Sequence, residues 1–148
     1  MYINANQKNI FAYTGARDHQ SEQDSVVFVH GTGMDHTVWV LPARFFARHQ
    51  YNVFATDLPG HGRSEGPTPD TIEHMADEVV AAMDGANIEK AALVGHSMGS
   101  LVTLALAARY PERTRSLALI GTAVPMAVHK SLLGSAAQND HAAIDMLT

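Results

Sequence analysis

A serine nucleophile is the chemistry that this sequence suggests most strongly. Residues 95–99 read Gly-His-Ser-Met-Gly and fit the pattern Gly-x-Ser-x-Gly. Gly95 and Gly99 have no Cβ, so the backbone can cross closely on both sides of Ser97 and leave its hydroxyl projecting. A helix that starts at this turn offers the backbone N–H of Met98 to a developing oxyanion. The same pattern also fits a tight glycine turn in which Ser97 only caps the helix.

The segments on either side of this pattern favour the catalytic interpretation. Residues 91–94 are typical of a buried strand, and residues 101–109 are typical of a helix that ends before Pro111. A strand, a sharp turn and a helix in this order are the context that a nucleophile elbow requires. We therefore predict that Ser97 is the nucleophile of a serine hydrolase.

A second loop follows the strand predicted at residues 25–29. Residues 30–33 read His-Gly-Thr-Gly, and the backbone N–H of Thr32 is the best placed to be a second oxyanion donor. The alternative is a phosphate-binding loop, with Asp57 at the end of the next strand as a ribose-binding acid. That fingerprint needs a third glycine where this sequence has His36, so dinucleotide binding is disfavoured.

A third loop, residues 57–64, is dense in turn-forming residues. The favoured interpretation is structural, with Asp57 and Arg63 satisfying backbone groups and each other. A direct catalytic role is the alternative, because His61 could reach the same crevice, although a single loop histidine is usually solvated.

Alternating strand and helix patterns predict the fold that positions these loops. Strands are predicted at residues 2–7, 9–14, 25–29, 51–56, 91–94 and 117–120, and helices at 38–49, from 70 onward and at 101–109. Asp70 and Glu73 are predicted to form the capping box of the second helix. The pattern indicates an α/β fold, in which an antiparallel hairpin precedes four parallel strands with helices on both faces. The three loops then meet at the carboxyl ends of the strands, where such sheets bind ligands.

The composition argues against several classes of protein. The 148 residues carry a formal net charge of −5 and no run of Lys or Arg, which disfavours nucleic-acid binding. Cysteine is absent, which removes disulfides and thiolate catalysis. No histidine pair has a spacing such as His-Glu-x-x-His, which disfavours a metal site, and chemistry on a serine implies neither a metal nor an organic cofactor. The sequence has no long apolar run and no signal-peptide pattern, so a cytoplasmic location away from membranes is expected.

Together, the three loops resemble those of the α/β-hydrolase superfamily, in particular its cap-bearing esterases and lactonases. The resemblance covers residues 2–123 and implies that Ser97 is the nucleophile and that the amides of Thr32 and Met98 form the oxyanion hole. It also implies that residues 1–124 are the N-terminal part of the hydrolase core and that residues 125–148 begin a helical cap over the acyl pocket. The partner implied is a small ester-like substrate.

In that superfamily the catalytic acid and histidine follow the serine in the chain, and this sequence offers poor candidates for both. After Ser97 the carboxylates are Glu112, Asp140 and Asp145, and the histidines are His129 and His141. Glu112 lies in a predicted surface turn, and Asp140 and His141 are neighbours whose side chains diverge on a helix. We therefore expect the acid and the base outside this chain. The sheet is expected to be incomplete at its C-terminal side, with the strand at 117–120 as an open edge.

The resulting hypothesis is hydrolysis of an ester, thioester or lactone through an acyl-enzyme on Ser97. One alternative is a catalytically inactive fragment, or a binding module that keeps the elbow only as architecture. Another is the peroxide-dependent chemistry of cofactor-free haloperoxidases and perhydrolases, which the serine–methionine pair also resembles. Dehalogenase chemistry is disfavoured, because it needs a carboxylate in place of Ser97.

Overall fold

The computed structural model describes residues 1–146, which form an α/β fold around one six-stranded sheet. The strands are β1 (Tyr2–Ala5), β2 (Lys8–Tyr13), β3 (Ser25–Val29), β4 (Asn52–Thr56), β5 (Ala91–His96) and β6 (Thr114–Ile120). The α-helices are α1 (Val40–Arg48), α2 (Ile72–Gly85), α3 (Met98–Arg109), α4 (Lys130–Ala137) and α5 (Ala142–Asp145). Two short 3-10 helices, His36–Trp39 and Pro111–Arg113, precede α1 and β6.

The sheet has the strand order β1-β2-β4-β3-β5-β6. β1 and β2 form an antiparallel hairpin, and β2 joins the rest of the sheet through two antiparallel residue pairs with β4. The remaining strands are parallel to their neighbours. The prediction of a hairpin followed by four parallel strands is therefore confirmed, and the carboxyl ends of β3, β4 and β5 lie at the same edge of the sheet.

The core lies on both faces of the central strands. All five residues of β3 are buried, and their side chains alternate between the two faces. Val26 and Phe28 pack with Trp39 and α1 on one face. Val27 and Val29 pack against the apolar residues of α2 and α3 on the other face. A continuous apolar run predicts a strand that is buried on both faces, and β3 has this arrangement.

The start of α2 differs from the predicted capping box. The N-cap is Thr71, whose backbone is extended and whose hydroxyl accepts a hydrogen bond from the backbone N–H of His74 at 3.1 Å. Asp70 lies one residue outside the helix, and its carboxylate instead contacts the imidazole of His74 at 3.1 Å. The prediction that Asp70 caps the helix is therefore wrong by one residue, because both side chains suit an N-cap and backbone geometry selects Thr71.

The elements around Ser97 are longer than predicted. β5 continues to His96 and α3 begins at Met98, so a single residue separates the strand from the helix. The glycines at both ends of the turn had suggested a longer loop, but here they lie inside the strand and the helix.

The C-terminal part of the described chain has few buried side chains. α4 and α5 contain no buried residue, and β6 forms one edge of the sheet. Leu119 and Ile120 on this strand are 38% and 46% exposed. Within residues 1–146, no helix combines the length and the apolar character that crossing a membrane requires.

Candidate active site

Ser97 occupies the sharp turn between β5 and α3. Its φ and ψ angles are 52° and −121°, a conformation that non-glycine residues rarely adopt. The turn is held through its backbone: the N–H of Ser97 donates to the carbonyl of Ile120 at 2.9 Å, and its carbonyl accepts from the N–H of Ser100 at 2.9 Å. The Ser97 side chain makes no capping hydrogen bond with α3. The structural interpretation of the motif required the Ser97 hydroxyl to cap the helix, and the hydroxyl does not do so.

The two motif glycines allow the strand and the helix to approach this closely. A Cβ on Gly95 would collide with the carbonyl oxygen of Gly99 and the hydroxyl of Thr103. A Cβ on Gly99 would collide with the carbonyl oxygens of Val29 and His30 at the end of β3. Both positions therefore need glycine for steric reasons, which is the role that the motif predicted.

Thr32 and Met98, the predicted oxyanion donors, lie next to each other beside Ser97. The Thr32 hydroxyl donates to the sulfur of Met98 at 3.3 Å. The loop backbone also passes close to the nucleophile, because a Cβ on Gly31 would lie 3.1 Å from the Cβ of Ser97. Within residues 1–146, the backbone N–H groups of Thr32 and Met98 donate to no protein acceptor. Two free amides beside a serine are what an oxyanion hole needs.

His30 fixes the base of this loop. It is fully buried; its Nδ1 lies 2.8 Å from the carbonyl of Gly31, and its Nε2 accepts the backbone N–H of Leu58 at 3.1 Å. These partners fit a neutral ring that donates from Nδ1 and accepts at Nε2. Burial lowers the pKa of His30, which favours the same neutral form. The ring thus connects the loops after β3 and β4 without carrying charge.

Asp57 is fully buried, and its main side-chain partner is His36, which the sequence analysis did not predict. Its carboxylate accepts the backbone N–H of His36 at 2.6 Å and contacts the His36 ring at 2.9 Å and 3.0 Å. It also accepts the backbone N–H of Arg63 at 2.9 Å, while the Arg63 guanidinium lies over the ring of Phe11. The structural role predicted for Asp57 fits this arrangement, but the expected pairing with the Arg63 side chain is replaced by the pairing with His36.

This buried pair bears on two other interpretations of the same loops. Asp35, His36 and Asp57 place potential metal-ligand atoms within 4.8 Å of one another. However, both carboxylate oxygens of Asp57 already accept N–H donors, so the cluster is satisfied by the protein itself. For the same reason, and because it is fully buried, Asp57 is not available to bind a ribose hydroxyl.

Among the acids and histidines that follow Ser97 in residues 1–146, His129 lines the same cleft as Ser97, whereas Glu112, Asp140, Asp145 and His141 do not. Glu112 is exposed and lies beyond the far end of α3, a helix of 12 residues that is about 18 Å long at about 1.5 Å per residue. The carboxylate of Asp140 accepts the backbone N–H of Ala142 rather than pairing with His141. Within residues 1–146, no side chain forms a hydrogen bond with the Ser97 hydroxyl.

A cleft of about 630 Å³ opens above Ser97. Thr32, His96 and Ser97 line its floor, and the segment that contains α4 and α5 supplies the opposite wall, including His129. The Nδ1 of His129 is 2.7 Å from the hydroxyl of Ser131. Ser97 therefore lines a cavity of the size that small-molecule sites have.

The sheet, the one-residue elbow and the cleft together define an α/β protein of the hydrolase type. A family model described as the alpha/beta hydrolase fold matches residues 24–146. The chain belongs to the α/β-hydrolase fold family, which confirms both the resemblance and the predicted fold class.

Individual relatives are hydrolases and lactonases. The chain is 31% identical over 102 residues to (E)-2-((N-methylformamido)methylene)succinate hydrolase of Acinetobacter baylyi, which covers 68% of this chain and 38% of that protein. The enol-lactonase of Burkholderia xenovorans is similar at 30% identity and a TM-score of 0.71, covering 79% of this chain and 45% of that one. Est816, an N-acyl homoserine lactone degrading enzyme, is similar at 27% identity and a TM-score of 0.76, covering 95% of this chain and 53% of that one. The chain thus spans between about a third and about half of the length of these relatives.

Proposed function

We propose that the protein containing this chain is a serine hydrolase that cleaves an ester, thioester or lactone. The observation that carries the proposal is the strained turn at Ser97, whose side chain does not cap the helix and which lines the cleft. Strained backbone that the surrounding structure maintains is typical of functional sites. Relatives that act on lactones, the enol-lactonase of B. xenovorans and Est816, support the substrate class.

In the proposed reaction, a histidine takes the proton of the Ser97 hydroxyl as the oxygen attacks the substrate carbonyl. The backbone N–H groups of Thr32 and Met98 bind the oxyanion of the tetrahedral intermediate. The histidine then gives the proton to the leaving alcohol, thiol or lactone oxygen, and an acyl-enzyme remains. The same histidine then takes a proton from water, whose oxygen attacks the acyl carbon. The bond between the acyl carbon and the Ser97 oxygen breaks, the histidine gives the proton to that oxygen, and the acid is released.

The histidine and the carboxylate that orients it belong, in this proposal, to residues outside this chain. Glu112, Asp140 and His141 do not line the cleft, and His129, which does, has its Nδ1 against the hydroxyl of Ser131; both observations support this assignment. Residues 1–124 are proposed as the part of the core that carries the nucleophile and the oxyanion hole, and residues 125–148 as the beginning of the cap.

The test is labelling of the full-length gene product with a fluorophosphonate probe, followed by intact-mass analysis. We expect the mass of one probe per chain, lost in Ser97→Ala and retained in Ser116→Ala, a matched change of an exposed serine on β6. Ester or lactone cleavage in the absence of peroxide separates hydrolysis from peroxide-dependent chemistry. A folded protein that is not labelled, or labelling that persists in Ser97→Ala, would overturn the proposal and favour a binding module.

A further inference from the structure

The wall of the cleft opposite Ser97 is apolar apart from His129, whose Nδ1 contacts the hydroxyl of Ser131. The cap side is lined by Met126, Val128, Leu132, Leu133, Ala136 and Ala143. These side chains come from the segment before α4 and from α4 and α5, so both short helices turn an apolar surface toward the nucleophile. A substrate chain that extends from the Ser97 hydroxyl into the cleft therefore contacts hydrocarbon.

The described lining of the cleft holds no Lys, Arg, Asp or Glu. Lys130 is next in sequence to the lining residue His129, but its side chain is exposed and does not line the cleft. Of the polar groups that line it, Thr32 and His96 lie on the floor next to Ser97, and the imidazole of His129 lies on the cap side. A carboxylate on the far end of a substrate would thus lose its hydration on entering the cleft without gaining a cationic partner, which is unfavourable.

Methionine makes the walls adaptable. Met34 on the floor and Met126 on the cap side both line the cleft. Thioether side chains are unbranched and polarisable, and they adjust to chains of different shape. The cleft is therefore suited to apolar chains as a class rather than to one rigid ring.

Resting on the proposed function, we infer that the enzyme selects neutral substrates with a flexible apolar acyl chain and discriminates against substrates that carry a terminal carboxylate. Leu132 and Leu133 on α4 determine this specificity from the cap side. The chemistry on Ser97 remains that of the proposed function, and the inference concerns only the acyl chain of the substrate that occupies the cleft.

The test measures binding to the full-length Ser97→Ala variant, which cannot form an acyl-enzyme. The matched ligands are 2-octanone and 7-oxooctanoate, which share their carbon count and differ at the chain end, with 2-hexanone as a shorter ketone. Protein-detected NMR titration at about pH 8.5 avoids a contribution from protonated imidazole, whose ordinary pKa is about 6.5. We expect 2-octanone to bind at least tenfold more tightly than 7-oxooctanoate, and each added methylene to contribute up to about fourfold.

A substitution in the wall should reverse this preference. Leu132→Arg is expected to weaken 2-octanone binding and to strengthen 7-oxooctanoate binding by about tenfold each. Leu41→Arg makes the same change on α1 at a side chain that is 78% exposed and outside the cleft, and should leave both affinities unchanged.

Two outcomes would overturn the inference. One is that the Ser97→Ala variant with its original Leu132 binds 7-oxooctanoate as tightly as 2-octanone, or more tightly. This outcome would be clearest if Lys130→Ala abolished the binding of 7-oxooctanoate. The other is that neither 2-octanone nor 7-oxooctanoate binds. Because these titrations do not depend on an activated serine, ketone binding without fluorophosphonate labelling would contradict only the proposed function. Labelling without chain-end discrimination would contradict only the inference.

Discussion

Ser97 has a backbone conformation with φ 52° and ψ −121°, which is more accessible to glycine than to any other residue. Such strain typically costs about 1–3 kcal/mol. Replacing the serine by glycine relieves it, although the added freedom of the unfolded chain offsets part of the gain. We therefore expect Ser97→Gly to have a free energy of unfolding about 1 kcal/mol higher than Ser97→Ala, measured by urea denaturation.

Ser135 in the middle of α4 provides the matched control, because its backbone is helical. There the order should reverse, with Ser135→Gly less stable than Ser135→Ala by about 1 kcal/mol. Equal stabilities of the two Ser97 variants would show that the turn stores no strain.

Because of His30, we expect the free energy of unfolding to depend on pH. Its pKa is lowered by burial, so as the pH falls through about 6.5 the unfolded chain binds a proton that the folded protein does not. Stability contributed by the neutral ring is therefore complete at higher pH and declines as the pH falls below about 6.5. We expect His30→Gln to be less stable than wild type at pH 7.5, and the difference between them to shrink toward pH 5.

Urea denaturation across this pH range tests the prediction for His30. Ile10→Val is the control, because it weakens the buried core without removing a titratable group and should keep the wild-type slope. A His30→Gln profile parallel to wild type would contradict the role assigned to burial of the neutral ring.

At the scale of single residues, local spacing predicted the roles of individual residues, but it did not predict contacts between residues of different loops. Ser97 and its two glycines follow a five-residue pattern, and their predicted steric roles match the contacts in the structure. The pair of His36 and Asp57 joins positions 21 residues apart in sequence, and no local periodicity links them. One available signal was that a buried aspartate at the end of a strand needs donors, and His36 is a donor close to the loop at residues 30–33.

At the scale of elements, the N-cap of α2 offers a direct test. The Thr71 hydroxyl accepts the N–H of His74, whereas the Asp70 carboxylate lies outside the helix and is exposed. Thr71→Ala should lower the free energy of unfolding by about 1 kcal/mol, and Asp70→Ala by less than about 0.5 kcal/mol. Thermal and urea denaturation of both variants measures this difference; a larger effect of Asp70→Ala would restore the predicted capping box.

The type and order of the elements could be predicted from apolar periodicity, but several of their ends could not. All six strands lie where continuous or alternating apolar residues predict them. The start of α3 at Met98 was missed because Gly99 weakens a helix pattern, while the tertiary contact with β3 favours glycine there. The helix predicted at residues 38–49 begins instead as a 3-10 turn capped by Asp35.

At the scale of the whole molecule, the edge at β6 is an exposed apolar part of the sheet. Leu119 and Ile120 present hydrocarbon beside unpaired strand backbone, a combination that promotes association between chains. We expect the 148-residue chain to self-associate, and Leu119→Lys to reduce its average mass in light scattering at equal concentration. Leu41→Lys on α1 is the control, because it adds the same charge at a side chain that is 78% exposed and away from this edge. An equal effect of both variants would assign the association to general hydrophobicity.

The overall topology was also predictable, because alternating strands and helices leave few arrangements of a parallel sheet. The cleft was not, since its wall comes from α4 and α5, which touch the nucleophile region only through the tertiary fold. Sequence alone indicated helix-prone residues after Pro125, without showing which of their side chains face Ser97.

The hydrogen bond from the Ser97 N–H to the carbonyl of Ile120 connects the turn at Ser97 to the last residue of this edge strand. Edge strands open more often than central ones. The Ser97 amide is therefore shielded from exchange with deuterated solvent only while the end of β6 stays closed. Opening of the end of β6 would consequently expose the backbone of the turn that carries Ser97, and a segment that covers this strand would slow exchange of the Ser97 amide.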